Sequence, residues 1–321
     1  MTATQRPKLL CAADIAHIPE VAALLEKHFE VEYSPATTEA LQQHLPRADA
    51  YFATLGVCLT ADLLENAPRL KVLTTPSTGT DHLDLRAAAE HNVAVLCLKN
   101  DRELLDRITA TAELTWALLL ACARHMRAAT EAATRGEWAR DVYRGHQLAY
   151  KTFGILGCGR LGSIVAQYAN AFRMKVIAYD PNVDDAPGVE MVSFDELLRR
   201  SDVFSIHIHL NEQTLGLIDR DALAKMKPGA ILLNTSRGAI VDEKAMIDAL
   251  ESGHLAAAGV DVIDGEWLED LSDHPVISYA RSHENLVVTP HIGGVTYESQ
   301  SMAFQAAAEK LVDFFADTRS K

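Results

Sequence analysis

The sequence predicts an α/β protein built from two doubly wound parallel-sheet domains. Short apolar runs alternate with helical patterns through the first hundred residues, and the same alternation returns from Thr152. The chain of 321 residues also has the length of about two domains. Because strands that alternate with helices form parallel sheets covered on both faces, we expect one such sheet in each half.

The first half contains apolar runs with the length of buried strands. Strands are expected at residues 8–12, 50–54, 71–75 and 93–97, with a helix at 18–29. The turn-rich loop from Pro76 to Asp81 directly follows one of these strands. Loops at the carboxyl ends of strands bind ligands in open α/β sheets, so this loop is a candidate binding element.

The second half begins with one long helical pattern. A single helix is expected over residues 102–132. Its centre is apolar on most faces, so we expect this centre to be buried, and a second subunit is one surface that could bury it. Further strands are expected at 153–156, 175–179, 203–208, 230–233, 257–262 and 285–289, with helices at 161–172 and 297–317.

Composition narrows the classes of partner. A net charge of −14 argues against nucleic acid, which needs clustered Lys and Arg. The five cysteines are dispersed, which is typical of reduced thiols in the cytoplasm. The apolar run from Trp116 to Ala123 is too short to span a bilayer, and the N-terminus has no signal-peptide pattern. We therefore expect a cytoplasmic protein without a nucleic-acid or membrane partner.

A glycine-rich segment predicts a dinucleotide site. Gly157, Gly159 and Gly162 fit the GxGxxG pattern, which is weak alone but here follows a predicted strand and opens a predicted helix. The three glycines would allow the turn, the approach of a pyrophosphate and helix packing, respectively. The pyrophosphate would lie on the N–H groups at the helix start, near Arg160 and Leu161.

Asp180 ends the second strand of this βαβ pattern, eighteen residues past Gly162. A carboxylate there accepts hydrogen bonds from the adenosine ribose and repels a 2′-phosphate. The next five residues contain no Arg or Lys, which favours NAD over NADP. The alternative is a glycine turn beside an ordinary solvated aspartate.

Three polar residues in the last third form a candidate catalytic set: Arg237, Glu266 and His291. Arginine binds an anion through two parallel hydrogen bonds, histidine moves a proton, and a carboxylate stabilises the histidine's cationic form. Each has an ordinary alternative, since surface arginines and glutamates are common and the chain has thirteen histidines. Arg237 and His291 stand out because each directly follows a predicted strand and precedes glycine. No histidine or cysteine cluster has zinc spacing, so no metal is expected.

From about Tyr51 to the final helix, the chain resembles the D-isomer-specific 2-hydroxyacid dehydrogenases. The resemblance is carried by residues 151–162, 226–243 and 289–294 in combination. It implies a Rossmann NAD-binding domain over residues 101–291, inserted in a flavodoxin-like substrate domain over residues 1–100 that residues 292–321 complete. It also implies a homodimer formed through the region from Ile108 to His125.

The resemblance implies an activity and residue roles. Hydride would pass between a D-2-hydroxy acid and NAD, with the 2-keto acid as the other partner. Arg237 would bind the substrate carboxylate and carbonyl, His291 would be the acid/base, and Glu266 would pair with it. Asp261 would hold the nicotinamide carboxamide. Thr78 and Gly79 would offer backbone N–H groups to the carboxylate.

Some positions depart from the family pattern. Trp267 stands where proline is usual, Ser77 replaces a glycine, and His209 replaces a proline. These departures leave the identity of the acid open. A formate- or phosphite-type dehydrogenase is one alternative, although Glu266 stands where the formate enzymes have glutamine. An NADH-sensing corepressor or scaffold is another.

Overall fold

The structure is a computed structural model that describes residues 6–268 and 270–319. Its strands are β1 (Lys8–Cys11), β2 (Glu30–Tyr33), β3 (Ala50–Phe52), β4 (Val72–Thr74), β5 (Ala94–Leu96), β6 (Thr152–Leu156), β7 (Lys175–Tyr179), β8 (Glu190–Met191), β9 (Val203–Ile206), β10 (Ala230–Asn234), β11 (Leu255–Val260) and β12 (Leu286–Val288). Its helices are α1 (Pro19–His28), α2 (Thr38–His44), α3 (Ala61–Glu65), α4 (Leu85–Glu90), α5 (Arg102–Leu105), α6 (Ala110–Ala123), α7 (Met126–Thr134), α8 (Arg160–Ala171), α9 (Phe194–Arg200), α10 (Arg220–Lys225), α11 (Glu243–Glu251), α12 (Pro275–Ser282) and α13 (Tyr297–Arg319).

The chain divides into two compact units. The first unit comprises residues 1–108 and 296–321, and the second comprises residues 109–295. The substrate-binding and nucleotide-binding roles that the sequence suggests for the two parts of the chain stay a prediction.

The first unit contains a five-stranded parallel sheet in the order β2-β1-β3-β4-β5. Helix α13 joins this unit through its apolar face, where Ala307, Ala308 and Leu311 are fully buried. The Thr74 hydroxyl donates to the carbonyl of Ala307 at 3.1 Å, which ties α13 to β4. The loop with Thr78 and Gly79 therefore follows β4, a strand that pairs with β3 and β5 and is covered on one face by α13.

The second unit contains a seven-stranded parallel sheet in the order β12-β11-β10-β9-β6-β7-β8. Strand β6 is central, and the chain first winds towards β8 and then returns to build the sheet outward to β12. This is the doubly wound order of dinucleotide-binding sheets, with its switch point between β6 and β9. The predicted fold class, two doubly wound parallel sheets, is confirmed.

The prediction of one helix over residues 102–132 is wrong. Three helices, α5, α6 and α7, cover this region, and His125 between the last two has a left-handed φ of 50°. The break between α6 and α7 is explained by a contact with a distant part of the chain. The carbonyl of Ala123 accepts a hydrogen bond from the backbone N–H of His146 at 2.8 Å, so a distant segment satisfies the end of α6.

The predicted strand over residues 203–208 extends too far. Strand β9 ends at Ile206, where its partners on both sides also end at Leu156 and Asn234, so His207 and Ile208 follow the strand instead of lying in it. The short edge strands β2 and β8 were not predicted. Edge strands need not alternate apolar residues, and β2 has the polar sequence Glu-Val-Glu-Tyr.

Candidate active site

Three neighbouring strands of the second unit end together and carry the candidate catalytic residues. Asn234 of β10 pairs with Val260 of β11, which pairs with Val288 of β12. Arg237 follows β10, Glu266 follows β11, and His291 follows β12. Residues far apart in the sequence therefore start from one edge of one sheet, where open α/β sheets place their ligands.

Glu266 and His291 are in direct contact. Their Oε1 and Nδ1 atoms are 2.9 Å apart, and the side chains are 11% and 23% exposed. Because a carboxylate accepts a hydrogen bond at Nδ1, that nitrogen carries a hydrogen, and Nε2 is left to exchange a proton with a ligand. The structure thus brings together the carboxylate and the imidazole that the sequence paired only through the family resemblance.

Asp261 is buried beneath the His291 loop, with 1% of its surface exposed. Its Oδ1 accepts hydrogen bonds from the Thr289 hydroxyl (2.6 Å) and the Ile292 N–H (2.9 Å), and its Oδ2 accepts one from the Gly293 N–H (2.7 Å). Burial raises the pKa of Asp261, against the effect of these bonds. Asp261 therefore anchors the His291 loop, while its contact with nicotinamide stays a prediction.

The His291 backbone has a left-handed φ of 52°, and its N–H donates to the carbonyl of Asp261 at 2.8 Å. A non-glycine residue takes this conformation at some energetic cost. Strained backbone of this kind is more frequent at functional sites, which is consistent with the candidate role of His291.

Arg237 lies in a short segment that Asn234 fixes at two points. The Asn234 side chain accepts from the Ser236 N–H at 3.0 Å and donates to the Arg237 carbonyl at 2.9 Å. The Arg237 Nη1 donates to the Ser236 carbonyl at 2.7 Å, and the side chain is half-buried. The residues after Arg237 form a 3₁₀ turn, Gly238–Ile240.

Trp267 packs beside the catalytic candidates. Its ring centroid is 6.0 Å from that of His291, and the ring planes are inclined by 44°. The indole is half-buried and directly follows Glu266 in the chain. The departure from the family pattern at this position therefore lies against the imidazole itself and covers part of it with an apolar, electron-rich surface.

The glycines of the GxGxxG segment have different structural requirements. Gly157 has a φ of 93°, and a Cβ there would lie 2.6 Å from the His207 carbonyl oxygen. A Cβ on Gly162 would lie 2.1 Å from the Gly157 carbonyl oxygen. A Cβ on Gly159 would meet nothing within 4 Å. The fold needs the first and last glycines, whereas the space at Gly159, next to the start of α8, fits the close approach of a cofactor.

Asp180 follows β7 and contacts this segment. Its Oδ2 accepts a hydrogen bond from the Cys158 N–H at 2.8 Å, and its Oδ1 accepts one from the Asn182 N–H at 2.8 Å. Strands β6 and β7 end in register at Leu156 and Tyr179. The carboxylate is therefore held beside the glycine segment, as a ribose-binding residue would be.

In the first unit, Thr78 and Gly79 lie in the loop after β4 and are half-buried. The Ser77 hydroxyl donates to the Gly79 carbonyl at 2.6 Å and lies 2.9 Å from the Thr75 hydroxyl. A glycine at position 77, as in the family pattern, could not make these bonds. Ser77 thus stiffens the loop that carries the two predicted N–H donors.

No group of three or more His, Cys, Asp or Glu side chains in the described part of the chain could hold a metal ion. No helix in those residues has the length and apolar character needed to cross a membrane.

Comparison with known proteins shows which family the chain belongs to. The family profile described as "D-isomer specific 2-hydroxyacid dehydrogenase, NAD binding domain" matches residues 116–293, more than half of the chain. This chain belongs to the D-isomer specific 2-hydroxyacid dehydrogenase family. NAD is the family's cofactor, and the prediction of NAD is confirmed.

Individual members of the family align along nearly the whole chain. A D-3-phosphoglycerate dehydrogenase from Mycobacterium bovis is 37% identical over 310 residues, which are 95% of this chain and 56% of that relative. A glyoxylate reductase from Aeropyrum pernix is 37% identical over 97% of this chain and 93% of its own length. The crystal structure of Aquifex aeolicus D-lactate dehydrogenase with NAD and lactic acid gives a TM-score of 0.84 at 26% identity, over 97% of this chain and 96% of that one. The chain spans about half the length of the D-3-phosphoglycerate dehydrogenases it matches.

The glycine geometry separates a folding role from a binding role. Gly159→Ala should leave the thermal unfolding of the cofactor-free protein unchanged, because its Cβ enters open space. The same variant should weaken NADH binding by about five- to 150-fold, the equivalent of about 1–3 kcal/mol of steric cost. Gly162→Ala should instead lower the free energy of unfolding, since its Cβ collides with backbone. Calorimetry measures both quantities, and unaltered NADH affinity in Gly159→Ala would contradict the assigned cofactor approach.

Asp180→Ala should weaken NADH binding by about tenfold or more and reduce discrimination against NADPH, because a charged hydrogen-bond acceptor for the ribose is lost. Asp185→Ala is the matched control, since Asp185 is an exposed carboxylate of the same segment. The affinities for NADH and NADPH are measured by fluorescence titration. If the ratio of the two affinities were unchanged, Asp180 would not be the residue that selects the cofactor.

Proposed function

We propose that this protein is an NAD-dependent dehydrogenase that interconverts a D-2-hydroxy acid and its 2-keto acid. The observation that carries the proposal is the 2.9 Å contact between His291 and Glu266. Arg237 follows a strand of the same sheet edge, and the sheet belongs to an NAD-binding domain. An acid/base, an anion-binding group and a hydride carrier are together sufficient for this reaction.

His291 is the acid/base in this proposal. In reduction, its Nε2 donates a proton to the carbonyl oxygen of the keto acid, and in oxidation the neutral ring takes the proton from the hydroxyl. Glu266, at Nδ1, stabilises the imidazolium and fixes the ring orientation. NAD supplies or accepts the hydride when it is bound.

Arg237 is the anchor for the substrate carboxylate and polarises the neighbouring carbonyl. In the first unit, the backbone N–H groups of Thr78 and Gly79 are our proposed donors to a substrate carboxylate. The Ser77 hydrogen bond supports this role because it limits the loop to fewer conformations.

The proposed cofactor-binding residues all belong to the second unit. The N–H groups of Arg160 and Leu161 at the start of α8 hold the pyrophosphate, with Gly159 allowing its approach. Asp180 accepts hydrogen bonds from the adenosine ribose, and Asp261 lies near the nicotinamide carboxamide. Gly157 and Gly162 shape the turn.

The direct test follows NADH absorbance with a panel of 2-keto acids. Glyoxylate, hydroxypyruvate, pyruvate and 3-phosphohydroxypyruvate cover the substrate sizes that the relatives' names suggest. We expect turnover with at least one of them. Where the product is chiral, as it is for every member of the panel except glyoxylate, we expect the D-isomer, determined by chiral chromatography.

The same assay separates the alternatives. Oxidation of formate or phosphite without keto-acid reduction would favour the dehydrogenases of those anions. Negligible turnover, with partner binding that responds to NADH, would favour a corepressor or scaffold. Either result would contradict the proposed reaction.

We also propose that the protein is a cytoplasmic homodimer. Helix α6 is mostly buried in its own unit, but Leu114, Ala117 and Ala121 form a partly exposed apolar stripe along one side. The five cysteines are free, as expected of a reducing compartment. Analytical ultracentrifugation of the wild type and of Ala117→Glu would test the dimer.

A further inference from the structure

Glu266 lies on an irregular segment between β11 and α12, which the structure describes over residues 261–268 and 270–274. The loop is held at Asp264, two residues before Glu266. The Asp264 N–H donates to Glu243 Oε1 at 2.8 Å, and the Asp264 carbonyl lies 2.8 Å from His274 Nε2. Two side chains from different helical segments therefore fix the peptide groups on both sides of one residue.

The hydrogen bonds define the state of His274. Its Nδ1 accepts from the N–H of Val276 at the start of α12, at 3.3 Å. The hydrogen must then be on Nε2, which donates to the Asp264 carbonyl. The same Nε2 is 3.6 Å from Glu243 Oε2. A neutral His274 thus contacts the Asp264 carbonyl, the start of α12 and the Glu243 carboxylate at the same time.

This pair is protected from solvent. The side chains of His274 and Glu243 are only 10% and 15% exposed. Burial raises the pKa of Glu243, the nearby carboxylates of Asp264 and Glu266 raise it further, and the bond from Asp264 and the proximity of His274 oppose the shift. A carboxylate that is largely removed from water is stabilised by a hydrogen-bond donor, and for Glu243 this donor is the Asp264 N–H, which belongs to the same loop as Glu266.

The start of the loop also packs directly on the segment that carries Arg237. A Cβ on Gly238 would lie 2.0 Å from the carbonyl carbon of Ile263 and 2.1 Å from the nitrogen of Asp264. Backbone therefore lies against backbone at this point. The position of Asp264 is set by Gly238 on one side and by Glu243 and His274 on the others.

We propose that Glu243 and His274 are positioning residues that keep Glu266 on His291 by fixing the backbone at Asp264. The inference rests on the proposed function, in which Glu266 and His291 form the acid–base pair. Neither residue was found by sequence reasoning, because each acts through the loop and neither lies at a strand end.

Loss of this support has a defined chemical consequence. If Glu266 withdraws from Nδ1, the imidazolium form of His291 loses its counter-charge and gives up its proton at a lower pH. Keto-acid reduction needs the protonated ring, so the alkaline limb of its pH–rate profile moves to lower pH. The rate falls as well, because small displacements of a catalytic group cost up to about a hundredfold.

The test compares Glu243→Ala, Glu243→Gln and His274→Gln with Glu266→Gln, and uses Glu251→Ala as the control because Glu251 is exposed on the same helix. Glu243→Ala should lower kcat about ten- to a hundredfold and move the alkaline limb in the direction that Glu266→Gln moves it, with NADH affinity changed less than about twofold. Glu243→Gln should remain near the wild type, because its amide oxygen still accepts from Asp264. His274→Gln keeps an N–H donor and should also be mild.

A second readout does not depend on turnover. Nitrogen-15 NMR follows the pH midpoint of the His291 ring, assigned by its absence in His291→Gln. Both Glu243→Ala and Glu266→Gln should lower that midpoint. If folded Glu243→Ala showed an unchanged His291 pH midpoint and an unchanged alkaline limb of the pH–rate profile, the inference would be overturned. If Glu243→Ala does not fold, Glu243→Asp replaces it, since the shorter carboxylate cannot reach the Asp264 N–H. Absence of wild-type turnover would contradict the proposed function, while the His291 midpoint would still decide the role of Glu243.

Discussion

Replacing His291 by alanine is expected to lower kcat for keto-acid reduction by about 10²–10⁴-fold, the range typical of a lost general acid. The physical reason is that His291 is the imidazole paired with Glu266, and alanine has no proton to donate in its place. The hydride donor is unaffected, so NADH should bind with its wild-type affinity. Steady-state absorbance measurements and fluorescence titration determine the two quantities separately.

His146→Ala is the control for this experiment, because His146 is an exposed histidine outside the site. It should leave kcat and NADH affinity unchanged. If His291→Ala retained kcat within about twofold of the wild type, proton transfer would have to come from another group, and His291 could not be the general acid.

Arg237→Lys is expected to raise KM for the keto acid by about tenfold or more, although the charge is kept. Lysine lacks the planar fork that makes two parallel hydrogen bonds to a carboxylate, and one charge-assisted bond is worth about 1.5–3 kcal/mol. KM for NADH should change little. Initial rates over a range of both substrates measure the two constants.

Arg220→Lys provides the matched substitution at an exposed arginine that pairs with Asp248 on the surface. It should leave both Michaelis constants unchanged. A near-normal KM for the keto acid in Arg237→Lys would show that the carboxylate is anchored elsewhere, with the Thr78–Gly79 loop as the remaining candidate.

The fold was predictable where the apolar pattern is strong. The predicted strand at 175–179 has the observed bounds of β7, and the last helix was expected at 297–317 and spans Tyr297–Arg319. The pattern fails where tertiary contacts decide. Nothing local in residues 102–132 reveals that His146 satisfies the end of α6, and the polar strand β2 exists because β1 pairs with it.

The candidate site was predictable only in part from local sequence. Arg237 and His291 could be selected because each follows a strand and precedes glycine, whereas Glu266 needed the family resemblance. The anchoring role of Asp261 was not predictable, since its hydrogen-bond donors lie about thirty residues later in the chain. Glu243 ends a segment that carries the family resemblance, but nothing in that segment indicates its contact with Asp264, and His274 had no local signal beyond the proline that follows it.

The convergence of β10, β11 and β12 has a consequence for how such proteins diversify. The proposed proton-transfer residues all belong to residues 109–295, whereas Thr78 and Gly79 belong to the other unit. Mutation or recombination in the gene segment for residues 1–108 could therefore alter which acid is accepted without rebuilding the chemistry. Insertions in the loops after β11 and β12 would instead disturb the contact between Glu266 and His291 directly. Under the proposed roles, selection on substrate range would act on residues 1–108, and constraint would fall on residues 109–295.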